Sequence, residues 1–159
     1  MMFRNARRGL VLGLVLCASV AVSGAAVAQG GAAEKAVGAR QAGFKQIGAS
    51  FKAVNDELKR GKPDMAAVAT AATRLETHAG QVPTWFPRGS GVESGAKTAA
   101  RAEVWSDAAG FADAAANLRV QTDRLAALAA EGDVAATRRQ ATQVGAACKA
   151  CHTKYREED

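Results

Sequence analysis

Residues 101–130 read RAEVWSDAAGFADAAANLRVQTDRLAALAA. Val104, Phe111, Leu118 and Leu125 recur every seven positions, with Ala108, Ala115 and Leu128 filling between them. An apolar stripe at that spacing is one face of an α-helix that packs on other helices at a shallow angle. The helical period continues on both sides. Toward the N-terminus, residues 32–60 carry Val37, Gln41, Phe44, Gly48 and Phe51 in alternating steps of four and three, with Ile47, Val54 and Leu58 beside them. Gly61 and Pro63 close that segment, and Pro63–Asp64 opens a second helix that runs to about His78 with Val68, Ala72, Leu75 and Ala79 as its stripe. Toward the C-terminus, Glu131–Gly132–Asp133 makes a tight turn. Asp133 caps a last helix with Val134, Ala141, Val144, Cys148, Cys151 and Tyr155 on one face. No segment reads as a strand. The expected architecture is all-α: an antiparallel up-down-up-down four-helix bundle joined by a short turn, a long crossover and a short turn. The crossover, GQVPTWFPRGSGVESGAKTAA at 80–100, holds two prolines, four glycines and the Trp85–Phe86 pair. A connection of that length is functional or packed against something.

Residues 1–28 have the form of a cleaved secretory leader. Arg4, Arg7 and Arg8 precede an apolar run from Leu10 to Val22, and Ala26–Val27–Ala28 ends the segment as an A-x-A site. Cleavage is expected between Ala28 and Gln29. The apolar run is too short to span a bilayer well, so the mature chain, 29–159, has no membrane span. Neither Arg7–Arg8 nor Cys17 has the neighbours that twin-arginine export or lipidation asks for. Removing 1–28 takes away three arginines and no acid, so the net charge falls from +6 to +3. The 131 residues that remain form one domain. They show neither the clustered basic patch nor the stacking aromatics of a nucleic-acid-binding chain. Aromatics are only 5% of the sequence, so the core is built from Ala, Val and Leu. It is thin for its length, and a bound group would help fill it.

The stretch ACKACHT at 147–153 holds three of the five cysteines and histidines in the chain. On a helix Cys148 and Cys151 share a face, and His152 lies one turn from Cys148. Four uses compete for such a cluster. C-x-x-C-H is the pattern of covalent haem attachment, in which the thiols add across two vinyl groups and the histidine ligates the iron. It suits an exported chain and is favoured here. A thioredoxin-like redox pair needs a nearby βαβ unit, and none is legible. Zinc on Cys148, Cys151, His152 and His78 would require adjacent residues of a regular helix to reach one tetrahedral ion. A plain structural pair would close too short a loop to add much stability. Phe44, Trp85 or Phe86, Val144 and Tyr155 are the residues that could line a haem pocket.

The whole mature chain resembles cytochrome c′. The resemblance rests on CKACH at 148–152 near the end of four helices, RQAGF at 40–44 in the first helix, and FPRGS at 86–90 ahead of EVW at 103–105. It implies a periplasmic protein with one covalent haem c per chain, often a homodimer, that binds nitric oxide and carbon monoxide at a five-coordinate high-spin iron. It also implies a capacity for electron transfer with a redox partner protein. Carried onto this sequence, it makes Cys148 and Cys151 the attachment residues and His152 the axial ligand. Arg156 stands beside the proximal face, Arg40 of the Arg40–Gln41 pair contacts a propionate, and Phe44 covers the distal face of the iron. Trp85 is expected near the same pocket. Low-spin relatives place a methionine near the Phe44 position. The only methionine of the mature chain is Met65, and a phenyl ring is no iron ligand. The chain departs from the family at Ala39, where an aromatic residue is common, and at Ile47, where methionine is; both loosen the case for the family's dimer seam on the first two helices. No acid–base or nucleophile constellation is legible, so the expected role is binding and not catalysis. Outside the site, Trp105 reads as an anchor for the third helix, His78 as a surface or helix-dipole residue, and Arg138–Arg139 as a solvated face.

Overall fold

The computed structural model describes residues 23–157, with side chains from residue 31 onward. Most of the expected leader, 1–22, lies outside the described residues. Five helices follow in order: α1 (Ser23–Leu58), α2 (Met65–Gln81), α3 (Glu103–Ser106), α4 (Ala108–Glu131) and α5 (Val134–Tyr155). Among the described residues there is no strand, and only one isolated β-bridge joins Ala100 to Arg156. None of the described helices is long and apolar enough to cross a membrane.

Local chemistry sets the ends of these elements. Asp64 accepts hydrogen bonds from the amides of Ala66 and Ala67 at the start of α2. Asp133 accepts from Ala136 at the start of α5. Both satisfy amides that have no partner within the helix. Gly132, at φ 77°, ends α4 in the left-handed conformation that only glycine adopts without strain. α1 packs along α2, α2 along α4 and α4 along α5, while α1 and α5 barely touch. The bundle is therefore open along one seam. Val54, Val68, Ala72, Leu75, Ala79, Leu125 and Val144 are completely buried and form the centre of the core.

The α4 stripe is where its sequence places it at Phe111, Ala115, Leu118 and Leu125, all buried, with Val104 buried beside them in α3; Ala108, the first residue of α4, is exposed instead, and Leu128 is half-buried. The third helix is not continuous, however. It breaks at Asp107, whose backbone leaves the helical region and whose carboxylate caps α4 through the Gly110 amide. The buried stripe of α1 is also rotated from the expected one. It runs through Val37, Arg40, Ile47, Ser50, Val54 and Leu58, while Gln41 and Gly48 face outward. Ile47 is thus part of the core of a single chain. The rotation follows from the apolar weight of Ile47, Val54 and Leu58, which sets the centre of the buried face.

Arg138 is not merely solvated. Its guanidinium reaches from α5 to the end of α1 and donates to the Leu58 carbonyl from Nε (3.0 Å) and Nη2 (2.8 Å), and to Arg60 O (3.3 Å). It supplies partners for carbonyls that α1 leaves open. Arg138→Met is expected to lower stability by about 1 kcal/mol in chemical denaturation. Arg139→Met, which removes the adjacent charge, should do less; equal losses would mean that the cap contributes nothing beyond general charge.

Candidate functional site

Cys148 and His152 fall on one strip of α5, together with Gly145, Lys149 and Thr153, and with Arg156 and Glu157 just past the helix end they wall a cleft of about 530 Å³. The strip lies beside the buried face that carries Val144, Ala147 and Tyr155. Gly145 brings the α1 side close: a Cβ there would stand 3.7 Å from the Phe51 ring. Cys151 is not among the walls of the cleft, and both cysteines pack, partly buried, against the hydrophobic cluster.

The two cysteines are half-buried and not bonded to each other. Burial pushes the Cys148 thiol above its ordinary value, and burial followed by the neighbouring Cys148 does the same for Cys151. Partial burial, then the charge of Arg156, lowers the pKa of His152. Both favour the neutral imidazole, the form that offers a lone pair to a metal. Among the described residues, no three His, Cys, Asp or Glu side chains are grouped as an all-protein metal site. The donor set fits a planar macrocycle held along one edge by two thioethers, with a nitrogen ligand supplied from the same helix. It does not fit an ion caged by protein groups alone.

The turn carrying His152 is strapped down. Tyr155 is buried, and its hydroxyl donates to Asp107 Oδ2 at 2.8 Å. Lys154 forms an ion pair with the same carboxylate. The Lys154 and Tyr155 contacts hold the Asp107 carboxyl below the usual range. On the backbone, the Arg101 amide donates to Tyr155 O (3.0 Å), and the Glu157 amide to Ala99 O (2.8 Å). Sequence reasoning missed Asp107. Its only local signal is an acid three residues before Gly110, where a Cβ would lie 2.7 Å from the Tyr155 hydroxyl.

The residues expected on α1 pack against the crossover. Arg40 is 3% exposed and donates to Ser90 Oγ (3.0 Å), Ser90 O (2.8 Å) and Thr98 Oγ1 (2.6 Å). Its guanidinium stands over the rings of Phe86 (5.1 Å) and Trp105 (5.8 Å). Gln41 is exposed and donates to Lys97 O at 3.1 Å. The pair therefore pins the crossover to α1. Trp105 secures the crossover from the other side, its indole N–H shared between the carbonyls of Phe86 and Pro87. Phe44 meets Trp85 edge-on at 5.3 Å and Phe86 at 6.1 Å. The aromatic series continues from Phe86 to Phe111 (4.9 Å) and from Phe111 to Tyr155 (5.3 Å). It thus joins α1 to the last turn of α5. Arg40, Gln41, Phe44 and Trp85 are not among the walls of the cleft beside His152.

Met65 and His78 sit at opposite ends of α2. Met65 is the first residue of α2, close in sequence to Leu58, and the Leu58 carbonyl is held by Arg138. Cys148 is ten residues further along α5 than Arg138, about 15 Å at the helical rise. His78 lies in the last turn of α2 and has a buried Nδ1 with no hydrogen-bond partner.

A haem protein on a four-helix scaffold is the class that this bundle and this donor set define. The family model described as Cytochrome C' matches residues 35–156, and the chain belongs to that family. A cytochrome c-556 from Agrobacterium tumefaciens (strain II Chrys) is 37% identical over 113 residues, which are 70% of this chain and 88% of the relative. A cytochrome c′ from Rubrivivax gelatinosus is 42% identical over 69 residues, 43% of this chain; the match spans only about half (54%) of that relative. Among solved structures, the nitric oxide complex of an L16A mutant of cytochrome c prime from Alcaligenes xylosoxidans superposes with a TM-score of 0.73 at 30% identity, covering 80% of this chain and 97% of that one. The cofactor is haem c, held covalently.

Proposed function

We propose that the chain is a periplasmic monohaem cytochrome that binds nitric oxide and carbon monoxide reversibly on the side of the haem away from His152. Cys148 and Cys151 hold the macrocycle by its edge. His152 supplies the single protein nitrogen, and Arg156 keeps a positive charge beside it. Haem, when bound, would supply the iron that takes up the gas. Phe44 would wall the position open to the gas, with Trp85 and Phe86 packed against its ring. The observation that carries this reading is the placement of Phe44 among aromatic rings, while Met65 stands at the far end of the bundle. Phe44 keeps the open position dry and offers no donor atom. The assignment is to a binding protein and not to an enzyme. A homodimer built on α1 and α2 and a role in electron transfer belong to the same reading.

A second reading, a six-coordinate low-spin electron carrier, needs another ligand. Its candidate is His78, because Nδ1 of that residue is buried and unpaired. The absorption spectrum of the ferrous protein with and without carbon monoxide separates the two. A broad high-spin Soret band that sharpens with the gas is expected. A sharp low-spin spectrum indifferent to the gas would turn the assignment to the electron carrier, and His78→Phe would then have to restore the gas response.

A further inference from the structure

Phe44 does not stand alone in the wall, and its immediate neighbour in sequence decides what stands against it. Trp85 ends the 3-10 turn Val82–Trp85 and lays its six-membered ring directly on α1 at Gly43. A Cβ at position 43 would lie 2.3 Å from Cη2, 2.4 Å from Cζ2 and 2.8 Å from Cζ3 of that ring. No alanine could sit there with the indole in place. Glycine at 43 is therefore what allows the indole to approach the helix backbone, and the indole in turn packs edge-to-face with Phe44, with ring planes at 78°. On its other side Phe44 meets Phe86 at 60°. Phe86 is itself held by Phe111, by Trp105 and by the Arg40 guanidinium. A phenylalanine in a helix has two comfortable χ1 wells, and a ring packed on two sides is confined to one of them.

We propose that Gly43 and Trp85 are positioning residues for the gas-binding face: together they fix the ring of Phe44 and so set how readily a diatomic ligand reaches the iron. This rests on the assignment of Phe44 to the distal wall. In a wall of fixed rings, ligand entry waits for Phe44 to move. Relaxing the buttress changes the waiting time without changing any group that touches the ligand. Gly43→Ala drives the indole off α1. Trp85→Leu removes the same support without adding bulk, so it settles the question if Gly43→Ala fails to fold.

The experiment compares carbon monoxide association with the ferrous holoprotein in the parent, Gly43→Ala, Trp85→Leu, Phe44→Ala and the Gly43→Ala/Phe44→Ala double variant. It is paired with ring-flip rates of isotopically labelled Phe44 measured by NMR in the diamagnetic carbon monoxide complex. We expect Gly43→Ala and Trp85→Leu each to raise the association rate about tenfold and to speed the Phe44 flip. The double variant should be no faster than Phe44→Ala, because both changes act through one ring. Parent-like rates and flips in Gly43→Ala and Trp85→Leu, beside a fast Phe44→Ala, would overturn the proposal and leave the distal wall standing. Parent-like association in Phe44→Ala would instead remove Phe44 from the wall, and the proposal with it.

Discussion

Replacing both Cys148 and Cys151 by alanine is expected to abolish covalent haem completely: no haem stain on a denaturing gel, and a chain mass without the cofactor. The effect should be all-or-none because each thioether needs its own sulfur, and Cys148 and Cys151 are the only cysteines among the described residues. Either single replacement leaves one sulfur and should leave one bond. His152→Ala separates the roles. It keeps both thiols, so haem should stay attached, but the axial nitrogen is gone and the visible spectrum should change. The double variant should also be less stable than the parent. α1 and α5 barely pack on each other, and the double variant would lose the group bound beside the cleft of about 530 Å³ at His152. A double variant that still retained covalent haem would remove this pair from the attachment site.

Arg40→Met is expected to cost about 3 kcal/mol of stability, about 10 °C in the melting temperature of the holoprotein. A buried cation is often no better than an apolar replacement, because its desolvation cancels its gains. Here the partners would stay behind. Ser90 is 1% exposed, and its carbonyl would lose a donor that nothing in the core replaces. The cation–π contacts with Phe86 and Trp105 would go as well, each contributing about 0.5–2 kcal/mol. Arg40→Lys should recover less than half of the loss. One ammonium cannot fork to Ser90 and Thr98 while lying flat over two rings. A loss below about 1 kcal/mol for Arg40→Met would mean that desolvation of the guanidinium offsets the whole network.

The repeating core was legible because it is periodic. Val68, Ala72, Leu75 and Ala79 are all completely buried, and a 3.6-residue rhythm is visible in one sequence. The C-x-x-C-H cluster was legible because its parts are adjacent, and a helix fixes their relation. What escaped the sequence is long-range. Arg138 bonds to a carbonyl 80 residues away. Arg40, which the resemblance assigns to a propionate, bonds to Ser90 and Thr98, 50 and 58 residues on, and no local pattern announces those partners. Asp107 reads as an ordinary polar position of a long helix until Tyr155 and Lys154 arrive from α5 to share its carboxylate. The shift of the α1 stripe has a subtler cause. Two neighbouring stripes both hold apolar residues, and the one weighted by Ile47, Val54 and Leu58 is the one that is buried.

The crossover is fastened at both ends, to α1 by Arg40 and Gln41 and to the end of α5 by Ala99, Arg101 and the Ala100–Arg156 bridge. Lys97 and Thr98 are held by α1, and Ala99 and Arg101, next along the chain, by the end of α5. Two helices that hardly touch each other are thus tied through one short piece of connecting chain. Loosening either set of bonds would slacken that edge of the bundle, with every residue on the two facing helices left as it was.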